Sequence, residues 1–232
     1  MNFNGLLLAT CLLLTLMLAG CRQNSNQNGQ GNEPTYLPEE DPRAEGMTED
    51  YLHTNRGIWQ KPELVMELLG PTKGKTIADI GAGTGFFALP LAAEGGKVIA
   101  IDIEPWIIRY LDSLRVRELP SEYRGNLEPR LAEPDDPKLE PGEADIALIV
   151  NTYMYIDERV AYLEKLKQGI AGGGKILIID FKKKRTPVGP PSNIRIPLHE
   201  VEEELYAAGF EDIYTNDTAL DYQYIIMAEK PR

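Results

Sequence analysis

The sequence predicts an α/β fold: a doubly wound, mostly parallel seven-stranded sheet with helices on both faces and an antiparallel terminal strand. Three observations carry that expectation. Short apolar runs alternate with stretches of helical periodicity between residues 76 and 181. After its first residue, Asp145–Val150 is continuously apolar, as a central parallel strand covered on both faces requires. The last two apolar runs, near 211–215 and 222–228, follow one another without a helix between them, and a pair joined that closely must be antiparallel.

Each element has a local cause. Pro62 starts a helix whose apolar face is Val65, Met66, Leu68 and Leu69, and Gly70 closes it. A strand is expected over Thr76–Ile80, a helix from Thr84 to Glu94 and a strand over Val98–Ile101. The next helix begins at Pro105, with Ile107, Ile108, Leu111 and Leu114 at helical spacing. A weak strand covers Leu127–Leu131. After the apolar strand 145–150, a helix runs from Asp157 to Ile170, where Gly172-Gly173-Gly174 stops it. Lys175–Phe181 is another buried strand, and a helix from His199 to Ala208 ends at Gly209.

Composition narrows the chemistry. The 232 residues carry a net charge of −12, which argues against a nucleic-acid partner, since phosphate-binding surfaces carry a lysine and arginine excess. Length allows one ordinary α/β domain. There are two cysteines, Cys11 and Cys21, and two histidines, His53 and His199, so a metal site is not supported. Arg22 to about Glu45 is rich in Asn, Gln, Gly, Pro and Glu and reads as a disordered tether.

The most informative stretch is Asp79-Ile80-Gly81-Ala82-Gly83-Thr84-Gly85-Phe86. A strand ends in an acidic residue, then glycines at 81, 83 and 85 remove every Cβ from a turn that opens into a helix. A nucleotide at such a turn lies at a strand's carboxyl end beside a helix N-terminus. A dinucleotide fingerprint wants a sixth-position glycine, and that position is Phe86. An NAD-dependent oxidoreductase is therefore disfavoured.

The pattern D-x-G-x-G-x-G resembles the first motif of class I S-adenosylmethionine (SAM)-dependent methyltransferases. With the mostly parallel sheet and antiparallel terminal strand expected above, the resemblance covers about Glu49 to Lys230 and is nearest to the small-molecule branch of ubiquinone/menaquinone-biosynthesis-like enzymes. It implies the Rossmann-like methyltransferase fold, SAM as cofactor, and a methyl acceptor that is a small molecule. In that family the acidic residue and loop backbone, here Asp79, Gly81, Ala82, Gly83 and Gly85, meet the methionine end of the cofactor. Asp102, with Ile103 beside it, ends the second strand, where a carboxylate can accept both ribose hydroxyls. The adenine contact falls to Asp135 or Asp136 in the loop after the third strand. Asn151 could bond the methionine part. No general base stands out, and Tyr153, Tyr155 and Asp157 are the candidates near the junction. An alternative is a SAM-binding or sensing module without transferase activity.

Arg56, Trp59 and Gln60 precede the first helix, where this fold often places a lid across the cofactor. Lys182-Lys183-Lys184-Arg185 follows the fifth strand, a basic cluster in an acidic domain. It suits either plain solvation or an anionic substrate or lipid headgroup.

At the other end, Leu6 to Leu18 is apolar and too short to span a bilayer comfortably. It ends in Leu18-Ala19-Gly20-Cys21, which resembles a bacterial lipoprotein lipobox. The resemblance implies a signal peptide over 1–20, lipid on Cys21, a tether over 21–46 and a catalytic domain over 47–232. The protein would then be a membrane-anchored lipoprotein of the bacterial envelope, or cytoplasmic if the signal is not used. With Cys11 removed and Cys21 lipidated, the mature domain would hold no thiol nucleophile.

Overall fold

In the computed structural model, which describes residue 57 and residues 60–232, seven strands form a single sheet in the order β3-β2-β1-β4-β5-β7-β6. In chain order the elements are α1 (Pro62–Leu69), β1 (Thr76–Ile80), α2 (Ala88–Ala93), β2 (Lys97–Asp102), α3 (Pro105–Glu118), β3 (Leu127–Leu131), β4 (Ala144–Val150), α4 (Arg159–Gly169), β5 (Ile170–Phe181), α5 (Leu198–Ala207), β6 (Glu211–Asn216) and β7 (Gln223–Glu229). Strands β3, β2, β1, β4 and β5 pair in parallel, and β7 runs antiparallel to both β5 and β6. The strand order reverses between β1 and β4. That is the switch point at which open α/β sheets bind ligands, beyond the carboxyl ends of the strands. The signal peptide, the tether, Cys21, Arg56 and Trp59 lie outside the described residues.

The two faces follow from strand alternation. Ile77, Val98, Leu148, Leu177 and Ile179 pack with Val65 and Leu69 of α1, Leu91 of α2 and Ile107 and Leu111 of α3. Ala78, Ile80, Ile99, Ile149 and Ile178 pack on the opposite face with Leu163 and Leu166 of α4 and Val201 and Leu205 of α5. Ile77, Ile99, Leu148 and Leu163 are completely buried, each contributing about 1.5–3 kcal/mol through apolar burial.

Two boundaries differ from the sequence expectation. The helix expected from Thr84 begins only at Ala88, because Gly81, Gly83 and Gly85 all take positive φ (72°, 52° and 77°) and hold the chain in turns. The triple glycine does not separate helix from strand. Strand β5 starts at Ile170 and runs through it, with a register shift against β4 between Ala144 and Ile146. A Cβ on Gly174 would meet the Asp145 carbonyl oxygen at 2.7 Å, so glycine is what lets the irregular strand approach its neighbour.

Candidate functional site

The glycine turn is held by its own N–H groups. Gly81 and Ala82 both donate to the Ile101 carbonyl at 2.9 Å, Gly85 donates to Ala82 at 2.9 Å, and Gly83 donates to Asp102 Oδ2 at 3.1 Å. A loop that cradles phosphates must aim N–H groups outward. Here four of them point back into the fold, which suits a cofactor without a pyrophosphate. Asp79 is buried at 3% exposure in β1, immediately upstream.

Asp102, at the carboxyl end of β2, joins this turn. Its Oδ1 accepts the Glu104 N–H at 3.1 Å while Oδ2 accepts that of Gly83. Two accepted bonds leave a carboxylate with further lone pairs, so the group fits the task of receiving ribose hydroxyls. Burial pushes its carboxyl above the ordinary range, against the lowering effect of the Glu104, Gly83 and Ile103 N–H groups. Beside it the Ile103 side chain is half exposed, an apolar surface at the same strand end, as is that of Leu131 at the end of β3.

The glycines have an additional cause that the sequence did not disclose. A Cβ on Gly81 would collide with the Thr152 side chain, and one on Gly85 would meet Leu111 at 3.0 Å and Leu89 at 3.4 Å. Gly81 is therefore glycine because the loop after β4 presses on it, and Gly85 because the turn packs onto α3.

That loop, residues 151–155, is tied down at three places. Asn151, at φ 57°, receives a hydrogen bond on Oδ1 from Gln223 Nε2 at 2.6 Å. Its side-chain oxygen thus turns toward β7. The Met154 N–H donates to Asp180 Oδ2 at 3.2 Å. The Tyr153 hydroxyl donates to Glu204 Oε2 at 2.6 Å, and Arg159 pairs with the same carboxylate.

The structure separates the three candidate bases. Tyr153 is completely buried between sheet and α5. Burial, followed by the Glu204 contact, holds its hydroxyl well above the ordinary range, and the hydroxyl's hydrogen bond goes to α5. Tyr155 is 59% exposed, and Asp157 is also exposed. The two adenine candidates are committed to lysines. Asp135 pairs with Lys165 at 3.0 Å, which lowers its carboxyl, and Asp136 pairs with Lys138 at 3.2 Å and accepts the Lys138 N–H at 2.8 Å. These contacts tie the loop after β3 to itself and to α4. Gln60 is completely buried.

The basic loop is not uniform. Lys182 donates from Nζ to the Leu220 carbonyl at 2.7 Å, so it fastens the loop to the segment before β7. Arg195 is 3% exposed, and its guanidinium donates to the carbonyls of Lys182, Lys184, Val188 and Pro190. Lys183, Lys184 and Arg185 remain exposed on the loop this arginine organises. Among the described residues, no cluster of His, Cys, Asp and Glu could hold a metal ion.

Residues 78–176 match a family described as a methyltransferase domain. The chain is 27% identical over 180 residues to phosphoethanolamine N-methyltransferase 1 of Arabidopsis thaliana, covering 76% of this chain and 35% of that protein. It is 25% identical over 133 residues to a ubiquinone/menaquinone biosynthesis C-methyltransferase of Geobacter sp. (strain M21), covering 56% of this chain and 54% of that one. The chain thus spans between a third and about half of the length of these two curated relatives. A SAM-dependent methyltransferase from Aquifex aeolicus superposes with a TM-score of 0.69 at 26% identity, covering 79% of this chain and 97% of that one. The fold is the class I methyltransferase fold.

Proposed function

We propose, from the match of residues 78–176 to a methyltransferase domain family, that this protein transfers the methyl group of SAM to a small, anionic acceptor while held to a bacterial membrane by lipid on Cys21. The observation that carries the transferase reading is the junction of Gly83 and Asp102, which sets a turn with inward N–H groups beside a carboxylate at the switch point of the sheet.

Bound SAM supplies a methyl already activated as a sulfonium. The protein's own task is to fix geometry and exclude water. The glycine turn and Asp102 would hold the cofactor, and the 151–155 loop, pressed on Gly81 through Thr152, would set the wall on the acceptor side. With Tyr153 bonded to Glu204, help from a base would have to come from the exposed Tyr155 or Asp157, or the acceptor brings a nucleophile that needs little. An anionic acceptor is supported by the exposed Lys183, Lys184 and Arg185, which follow β5 at the carboxyl edge of the sheet. A small one is in keeping with the phosphoethanolamine and quinone enzymes to which the chain is similar.

Calorimetry with S-adenosylhomocysteine tests the cofactor, and turnover of labelled SAM against a metabolite extract tests the transfer. Binding without turnover would move the reading to a SAM-sensing module. Anchoring rests on Leu18-Ala19-Gly20-Cys21. A palmitate analogue should label the wild type and not Cys21→Ala, and a soluble protein retaining residues 1–20 would remove the lipid from the proposal.

A further inference from the structure

Gln223 opens β7, in register with Phe181 of β5. It is completely buried, and its side chain makes one hydrogen bond among the described residues, from Nε2 to Asn151 Oδ1 at 2.6 Å. Its other end, Oε1, is enclosed and meets no donor among the described residues. A half-satisfied buried amide is a poor source of stability, because the oxygen has given up water and gained nothing in return. An aliphatic side chain in the same space would carry no such cost. What Gln223 does supply is the placement of Asn151.

Asn151 is the first residue after β4, one of the strands between which the strand order reverses. Its main-chain N–H donates to the Ile179 carbonyl at 2.9 Å, and its φ of 57° is a left-handed backbone that asparagine tolerates better than most residues. Thr152, next in sequence, fills the space a Cβ on Gly81 would need. Asn151 therefore stands one residue from the contact between the loop after β4 and the glycine turn, and it is half-buried where Gln223 is enclosed. With Oδ1 engaged by Gln223, the Nδ2 end is what the side chain has left to offer, and it bonds no described residue. An amide nitrogen only donates, and its strongest partner is a charged oxygen.

We infer that Gln223 is a positioning residue: by engaging Oδ1 it holds Asn151 with its N–H groups turned from β7, as a donor site for an anionic oxygen at the switch point of the sheet. This rests on reading the switch point as the SAM site. Two sources of such an oxygen meet there, the carboxylate of the cofactor's methionine part and the charged group of the acceptor. The chemistry that recognises them is the same, and the experiment separates them.

The test uses the full-length chain. Gln223→Leu should unfold at the wild-type temperature or above it, yet bind the anion about two- to tenfold more weakly, the range that one hydrogen bond spans. Asn151→Asp keeps an oxygen for Gln223 and tolerates the same backbone, but sets a carboxylate where the N–H groups stood, so its loss should be larger. If the cofactor's carboxylate is the anion, both variants lose affinity for S-adenosylhomocysteine and neither loses affinity for decarboxylated S-adenosylhomocysteine. If it is the acceptor's, S-adenosylhomocysteine binding is unmoved in both. The Asn151 side-chain amide signals, identified by their absence from Asn151→Asp, then shift when inorganic phosphate is titrated into the wild type, and shift less in Gln223→Leu. Equal losses for the two cofactor analogues mean a general disturbance of the site and overturn the inference. So does a Gln223→Leu protein that is less stable and binds as the wild type does, or a site that responds in neither arm. Should Gln223→Leu not fold, Asn151→Asp decides by the same comparison of analogues and phosphate. A wild type that does not bind S-adenosylhomocysteine counts against the SAM reading, while the phosphate titration still decides the role of Gln223.

Discussion

Gly83 donates its N–H to Asp102 Oδ2 at 3.1 Å, so the carboxylate at the end of β2 is a strut for the glycine turn as well as the proposed acceptor for the cofactor's ribose. Both roles vanish in Asp102→Ala. Affinity for S-adenosylhomocysteine should fall by about 1–3 kcal/mol, the usual cost of losing a hydrogen bond to a charged group. Calorimetry on the folded variant checks this, and unchanged affinity would remove Asp102 from the cofactor site.

The contact between Gly81 and Thr152 makes a separable prediction. Gly81→Ala places a Cβ against the Thr152 side chain at a residue of φ 72°. Left-handed backbone costs about 1–2 kcal/mol for a residue with a Cβ, and overpacking adds about 1–3. Shortening Thr152 to alanine should restore the steric part and leave the backbone part. Denaturation of the two single variants and the double variant measures that coupling. Additive effects would mean that the loop does not press on the turn.

Much of this architecture was readable from pattern. The alternation of apolar runs and helical spacing predicts all seven strands, because continuous burial of Ile77–Ile80 or Ile146–Val150 leaves a run that is unambiguous even in isolation. What pattern could not supply is partnership across the sheet. Gly81, Thr152, Asn151 and Gln223 meet only when the carboxyl ends of β1 and β4 and the start of β7 are brought together. Gly172–Gly174 misleads because a glycine cluster that stops a helix and one that permits a strand irregularity look alike in one dimension. Asp135 and Asp136 are attractive as a loop position, yet nothing in the sequence reveals Lys165 as the partner of one of them. One further signal is legible in the sequence: Asp180 is a carboxyl inside an apolar strand, and a buried polar group is more informative than the aliphatic residues around it.

Tyr153→Phe distinguishes packing from catalysis. The hydroxyl bonds Glu204 while Arg159 pairs with the same carboxylate, so the variant leaves Glu204 partnered and should cost about 0.5–1.5 kcal/mol in stability. The pH profile of turnover should keep its shape. A specific loss of kcat with unchanged KM and unchanged folding would return Tyr153 to the reacting centre.

The exposed cations of the loop after β5 provide the sharpest test of an anionic acceptor. Lys182 must be left intact, because its Nζ holds the Leu220 carbonyl at 2.7 Å and its loss would disturb the loop itself. The informative variant is Lys183→Glu, Lys184→Glu and Arg185→Glu combined, with the Arg195 contacts beneath them preserved. If these side chains are only solvated surface, stability should change by a few tenths of a kcal/mol and turnover should not respond. If they capture an anion, each lost cation should weaken capture by up to about 1 kcal/mol. Added salt should then reproduce the loss in the wild type by screening. The measurement is kcat/KM across a salt series, with S-adenosylhomocysteine affinity as the internal control, which should not move. Vesicles containing phosphatidylglycerol, compared with phosphatidylcholine alone, separate a soluble acceptor from a headgroup. Vesicle binding that collapses in the triple variant while kcat/KM is unchanged would assign the cations to the membrane, and unchanged behaviour in both assays would leave the acceptor's charge without support.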